Sequence, residues 1–201
     1  MARPRTFDEA RALDAAMHAF WANGYEATST QDLCDATGLG RSSIYNTFSS
    51  KHDLFRRALA HYIDTMNAPQ SALLEDVSRP AAERIRELFA VIVEREAEGR
   101  RGGRSQGCLT VNATVELADR DPEVAAMLER DLALRLAALR DVLEAGQRAG
   151  DIAAERDAES LARFVNAVIG GMRVSGQGGA GRAALEAIAA TAMDALTPGP
   201  R

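Results

Sequence analysis

Residues 29–51 read STQDLCDATGLGRSSIYNTFSSK, and this stretch decides the fold of the N-terminal part of the chain. Ser29, followed three residues later by Asp32, is a variant of the capping box that begins a helix. Gly38 is placed to end that helix, because glycine readily adopts the positive φ that a sharp turn needs. A second short helix is predicted from about residue 41 to residue 47. Two short helices joined by a tight turn are typical of a helix-turn-helix.

The apolar and polar residues of this stretch separate onto two sides. The apolar anchors are Leu33, Leu39, Ile44 and Phe48. The opposite side of the second short helix is polar and compact enough to enter a DNA major groove, which is about 12 Å wide. We predict contacts to base edges from Arg41, Ser42, Ser43 and Asn46, and contacts to phosphates from Thr30, Tyr45 and Lys51. The pattern alone leaves open a helical pair that serves only for packing.

Helical periodicity continues on both sides of this stretch. A helix that ends before Gly24 precedes it, and one from Lys51 to about residue 66 follows, with a joint at residues 68–71. A helix after Pro80 is expected to end in a basic loop at residues 98–104. Four more helices are predicted over about residues 107–118, 122–149, 157–174 and 182–196. The sequence thus predicts an all-α protein of about nine helices, with a helix-turn-helix DNA-binding domain at 1–50, a connecting helix at 51–66, and a C-terminal helical domain at 67–201.

Composition and charge set limits on function. The chain has 201 residues and a net charge of −5, and residues 1–60 carry seven basic and seven acidic side chains, so the acidic excess lies in the remainder. Charge therefore permits a DNA-binding head. No apolar stretch approaches the roughly 20 residues of a membrane span, so we expect no membrane partner and a cytoplasmic location. No residues have zinc-ligand or catalytic spacing, so no metal, cofactor or enzyme activity is expected.

The segment LDAAMHAFWANGYEATST at residues 13–30, continued by residues 31–51, resembles the N-terminal part of TetR-family transcriptional regulators. Tyr45, Phe48 and Lys51 fall where that family has its Tyr-x-x-Phe-x-x-Lys signature, and Cys34 replaces an alanine common there. The resemblance covers about residues 7–66. It implies a sequence-specific repressor that binds palindromic double-stranded operator DNA as a homodimer and is released by a small-molecule inducer. A helical interaction protein without DNA function is the remote alternative.

The resemblance also implies that the C-terminal part binds a ligand and builds the dimer. The candidate pocket residues are Phe89, Ile92, Asn112, Val115 and Phe164. Small residues beside large apolar ones in the last two helices suit a four-helix dimer interface. The candidate interface residues are Val168, Gly171, Met172, Ile188 and Ala192, and the alternative for each is a place in the intramolecular core.

Cys108 follows a loop that contains Arg100, Arg101 and Arg104 and is expected in the first turn of a helix. A helix N-terminus and nearby arginines both favour a reactive thiolate, and some members of the family sense oxidants or electrophiles through a cysteine. One hypothesis is therefore a cysteine-sensing repressor that acts through Cys108. The alternative is a small buried residue that fills the core.

Overall fold

The computed structural model describes residues 9–101 and 105–199, and this part of the chain is all-helical, as predicted. Its helices are α1 (Glu9–Asn23), α2 (Thr30–Thr37), α3 (Arg41–Thr47), α4 (Lys51–Glu75), α5 (Ala81–Arg101), α6 (Leu109–Leu117), α7 (Pro122–Ala149), α8 (Ala158–Gln177) and α9 (Arg182–Leu196). No strand occurs within the described ranges.

The chain divides into two compact units. The first contains residues up to Thr65 together with Leu109–Leu128, and the second contains Met66–Cys108 together with the residues from Glu129 onward. Helix α6 and the beginning of α7 therefore group with the N-terminal helices, although they are distant in sequence. The division at residues 50 and 66 stays a prediction.

The core of the first unit is built around the helix-turn-helix. Leu33, Ile44 and Phe48 are buried as expected, while Leu39 is half-buried. Phe20 of α1 meets Phe55 of α4 edge to face, with ring centroids 5.1 Å apart. Because Ile44 and Phe48 are drawn into this core, the opposite side of α3 is left to solvent.

The core of the second unit lies among α5, α7, α8 and α9. The predicted apolar stripe of α5 is fully covered; it consists of Ile85, Leu88, Phe89 and Ile92. Asp151, after α7, accepts a hydrogen bond from the Ala82 N–H (2.9 Å) and so caps the first turn of α5.

Helix α4 is longer than predicted, and the joint expected at residues 68–71 was wrong. The helix continues through Pro69 to Glu75, although an interior proline costs a helix about 3 kcal/mol. Leu74 is buried in the core of the second unit, and the guanidinium of Arg84 donates to its carbonyl oxygen (2.6 Å). These tertiary contacts hold the last turn beyond the proline.

The ends of two other helices also differ from the prediction. The basic loop expected at residues 98–104 is helical as far as Arg101, and residues 102–104 lie outside the described part. Helix α8 runs to Gln177 rather than ending near Val174. Gly176 is buried in that last turn, and a Cβ there would lie 2.5 Å from the carboxylate of Glu96. Close packing against α5 therefore extends α8 into its glycine-rich end.

Candidate DNA-binding surface

Helix α2 begins with the predicted capping box. The hydroxyl of Ser29 accepts a hydrogen bond from the Asp32 N–H (3.1 Å), and the carboxylate of Asp32 accepts one from the Ser29 N–H (2.7 Å). The side-chain and backbone hydrogen bonds from Ser29 lower the pKa of Asp32. Gly38 ends the helix with φ 69° and ψ 15°, the left-handed conformation expected of it.

Helix α3 presents the predicted polar side chains at the surface. Arg41, Ser42 and Asn46 are exposed, whereas Ser43 is half-buried. The guanidinium of Arg41 lies 5.9 Å from the centroid of the Tyr45 ring. The four residues predicted to contact base edges thus share one short helix, and three of them are exposed to solvent.

The three residues predicted to contact phosphates lie at two places in the first unit. The hydroxyls of Thr30 and Tyr45 are hydrogen-bonded to each other at 2.9 Å, which joins the first turn of α2 to α3. Lys51 lies at the beginning of α4, with its Nζ 4.4 Å from the centroid of the Tyr25 ring and 3.4 Å from the carbonyl oxygen of Glu26. These contacts offset the unfavourable position of a cation at a helix N-terminus.

The turn between α1 and α2 is held by a residue that the sequence analysis missed. Gly24 adopts φ 82°. The carboxylate of Glu116 then accepts two backbone hydrogen bonds, from the Tyr25 N–H to Oε2 (2.9 Å) and from the Glu26 N–H to Oε1 (2.7 Å). Glu116 belongs to α6, some 90 residues away, and no local pattern marks it.

A second polar connection joins α4 to the start of α7. His52 Nε2 lies 2.5 Å from Asp121 Oδ2, and Asp121 Oδ1 accepts the N–H groups of Glu123 and Val124, each at 3.1 Å. Burial raises the pKa of Asp121, but the hydrogen bonds from Val124 and His52 outweigh it and the net pKa is lowered. Asp121 therefore acts as an ionised cap for α7 that also holds His52.

The predicted pocket residues fall in both units. Asn112 and Val115 belong to the first unit, where Asn112 is half-buried and Val115 is 85% exposed. In the second unit Ile92 is in the core and Phe164 is 38% exposed. Phe89 contributes to a cleft between α5 and α9 with a volume of about 470 Å³.

Two of the predicted interface residues fit the alternative of a place in the intramolecular core. Met172 and Ala192 are 0% and 3% exposed and belong to the core of the second unit. Val168 and Ile188 are half-buried against that core, and Gly171 is exposed. A helix that carries small and large apolar residues on several sides does not itself indicate which side faces the core.

The exposed side of α8 forms a different stripe. Its members recur at helical spacing and are apolar or small: Phe164, Ala167, Gly171 and Val174, which we call the α8 stripe. Phe164 and Val174 are 38% and 53% exposed, so two large apolar side chains of the stripe are partly open to water.

Cys108 lies directly before α6, one residue short of the predicted first turn. Its side chain belongs to the core, with a residual exposure of 6%, and it forms no disulfide with Cys34. The side chains of Arg100, Arg101 and Arg104, which were expected to activate it, lie outside the described residues. Burial on this scale fits the alternative of a small core residue.

Neither a metal centre nor a membrane span is found in the described ranges. Over residues 9–101 and 105–199 no group of three or more His, Cys, Asp or Glu side chains is arranged to hold a metal ion. Within the same ranges, no helix combines the length and the apolar character needed to cross a bilayer.

A helix-turn-helix with an exposed polar α3 defines a DNA-binding regulator of transcription. Two family models match the chain: "Bacterial regulatory proteins, tetR family" over residues 12–58, and "Tetracyclin repressor-like, C-terminal domain" over residues 81–195. The chain therefore belongs to the TetR family of transcriptional regulators.

Individual relatives agree with this assignment. The HTH-type transcriptional repressor ComR of Escherichia coli K12 is 34% identical over 191 residues, which covers 95% of this chain and 90% of that protein. The TetR-family regulator CifR, solved as a cysteine mutant complexed with 26-bp double-strand operator DNA, is 32% identical with a TM-score of 0.85, covering 97% of this chain and 100% of that chain. The reduced form of E. coli NemR, 18% identical with a TM-score of 0.83 over 95% of this chain and 98% of its own, shows the shared fold alone.

Proposed function

We propose that this regulator is a repressor that binds a palindromic operator as a homodimer and is released by a small-molecule inducer. The exposed polar side of α3 carries the proposal, because it presents hydrogen-bonding side chains on a helix short enough to lie in a major groove. The operator complex of CifR, 32% identical to this chain, supports a duplex operator as the partner. Binding to chromosomal DNA would place its action in the cytoplasm.

The roles of individual residues follow from their positions. Arg41 and Asn46 are exposed on α3 and have the side chains best suited to bidentate contacts with guanine and adenine. Thr30 and Tyr45, held together by their hydroxyls, are suited to one phosphate, and Lys51 is suited to another. Ser42 and Ser43 have shorter side chains and would contact base edges that lie closer to α3 in the same groove.

The α8 stripe supports the homodimer. Glycine at position 171 leaves open space, since no atom outside its own stretch of helix backbone lies within 4 Å of a Cβ built there. A second copy of α8 can therefore approach closely along the stripe and cover Phe164 and Val174. A two-fold dimer then supplies the two helix-turn-helix domains that a palindrome requires.

The cleft between α5 and α9 is our candidate for the inducer site. Its volume of about 470 Å³ falls in the range of small-molecule sites. Phe89, Val93 and Met193 supply apolar lining, and the cleft is also lined by charged side chains: Arg86, Glu94, Arg182, Glu186 and Asp194. Such a lining suits a small molecule that combines an apolar part with polar or charged groups.

The test is to select duplexes from a random library with the purified chain and to sequence them. We expect a palindrome with half-sites about one helical turn apart, and binding that weakens steeply with salt. Arg41→Ala should bind the selected duplex roughly ten-fold or more weakly and lose preference at one base pair of each half-site.

Arg130→Ala is the matched control, because Arg130 is an exposed arginine on α7 and its loss changes the net charge equally. Two results would contradict the proposal: equal affinity for random and selected duplexes, or equal affinity of the two variants for the selected duplex.

A further inference from the structure

The carboxylate of Glu116 occupies a site formed by backbone. Both of its oxygens accept N–H groups of consecutive residues, Tyr25 at 2.9 Å and Glu26 at 2.7 Å. Consecutive N–H groups that converge in this way make an anion-binding concavity. Gly24 completes it, because its φ is 82° and a Cβ there would lie 2.9 Å from Glu116 Oε2. We call this arrangement the Glu116 clamp.

The same two residues also hold Lys51. Its Nζ lies 4.4 Å from the centroid of the Tyr25 ring and 3.4 Å from the carbonyl oxygen of Glu26. Glu26 thus donates its N–H to Glu116 and offers its carbonyl oxygen to Lys51. One turn connects a carboxylate on α6 with the ammonium group at the start of α4.

The connection matters because it ends at the side chain of Lys51. Lys51 is the only lysine in the chain. A lysine ammonium is carried on a flexible four-carbon stem, so fixing it costs conformational entropy. The Tyr25 ring and the Glu26 carbonyl oxygen already restrict the Lys51 side chain. A phosphate contact then costs less conformational entropy, because less of the side chain has to be ordered on binding.

We propose that Glu116 is a positioning residue for operator binding: it fixes Tyr25 and Glu26 so that they hold the Lys51 ammonium ready for a phosphate. The inference rests on the proposed function, in which Lys51 contacts the operator backbone. Hydrogen bonds to an ionised acceptor are stronger than neutral ones, so removing the charge of Glu116 loosens the turn. Residue 116 itself need not touch DNA.

The first measurement requires no DNA. Glu116→Gln keeps the size of the side chain but replaces one accepting oxygen with an NH₂ group, which cannot accept the N–H that faces it. We expect the amide protons of Tyr25 and Glu26 to exchange faster in this variant. Amides in the interior of α8 should keep their wild-type exchange rates.

The second measurement is a double-mutant cycle on a duplex selected by the wild-type chain. Glu116→Gln should weaken binding about five- to ten-fold, which is ~1 to 1.4 kcal/mol. It should also reduce the salt dependence of binding, as is expected of Lys51→Met. The double variant should bind no more weakly than Lys51→Met alone, because Glu116 acts through Lys51.

Glu123→Gln is the matched control. Glu123 is a carboxylate of the first unit that pairs with Arg56 on α4 at 2.8 Å and takes no part in the Glu116 clamp. Its effect on binding should add to that of Lys51→Met. If Glu116→Gln fails to fold, Glu116→Asp replaces it. Aspartate keeps the charge, but its side chain is one methylene shorter and cannot reach both N–H groups.

The outcomes separate the inference from the proposed function. Specific binding combined with additive effects of the Glu116 and Lys51 variants would overturn the inference alone. Unchanged exchange at Tyr25 and Glu26 in the Glu116 variant would do the same. A wild-type chain that selects no duplex would overturn the proposed function, and the inference with it.

Discussion

Replacing Gly171 with glutamate should separate the proposed dimer into subunits without unfolding them. Gly171 lies in the middle of the α8 stripe, and no atom outside its own stretch of helix backbone lies within 4 Å of a Cβ built there. Glutamate is also a better helix former than glycine by about 0.5 kcal/mol or more. The subunit itself therefore has room for the new side chain, and its own free energy of unfolding should not fall.

The dimer, in contrast, would receive the substitution twice, because a two-fold interface uses the same surface of both copies. Placing an unpaired carboxylate in an apolar interface costs several kcal/mol. At about 3 kcal/mol for each copy, the free energy of dimerisation becomes less favourable by about 6 kcal/mol. Because about 1.4 kcal/mol changes a dissociation constant ten-fold, the Kd of the dimer should rise roughly 10⁴-fold.

Sedimentation equilibrium over a range of concentrations measures this change, and far-UV circular dichroism checks that the helices persist. Ala22→Glu, at an exposed position of α1, adds the same charge outside the stripe and should sediment as the wild type does. A Gly171→Glu variant that sediments as a dimer at every concentration would refute our assignment of the α8 stripe as the interface.

Three further predictions concern stability and reactivity. Gly24→Ala should lower the urea midpoint of unfolding more than Gly38→Ala. Both glycines have positive φ, which costs another residue about 1–2 kcal/mol, but only a Cβ at position 24 would also clash with a neighbouring carboxylate. Equal midpoints of the two variants would contradict this. The folded pKa of Asp121 is lowered, so its contribution to stability is fully present above its unfolded pKa of about 4 and is lost as pH falls through the lower folded value. Urea titrations below pH ~4 should therefore show a shallower acid loss for Asp121→Asn than for the wild type, and identical slopes would argue against an ionised cap. In maleimide labelling followed by mass spectrometry, half-buried Cys34 should react before Cys108, which is 6% exposed; rapid labelling of Cys108 would favour the cysteine-sensing hypothesis.

The helix-turn-helix was predictable because its signals are local. A capping box, a left-handed glycine and the spacing of Leu33, Ile44 and Phe48 each act within a few residues. The same sequence leaves the polar side chains of α3 on the opposite side. The roles of those side chains toward DNA stay predictions, since base contacts depend on how the helix lies in the groove.

The errors share one cause, which is that local signals do not include contacts with distant residues. The joint expected near Pro69 is absent because Leu74 and Arg84 hold the helix beyond it. In the same way, composition does not separate Met172 from Gly171 on α8, whereas packing in the core of the second unit buries Met172 and leaves Gly171 exposed.

The sequence by itself determined an all-helical chain with a capped helix-turn-helix, in which the second helix, α3, has a polar outer side. It could do so because helix propensity, capping and periodicity are properties of neighbouring residues. Only the tertiary structure decided that Glu116 binds the backbone of Tyr25 and Glu26. A carboxylate can meet two N–H groups 90 residues away only after the helices between them have packed, and packing depends on the shapes of all the side chains together.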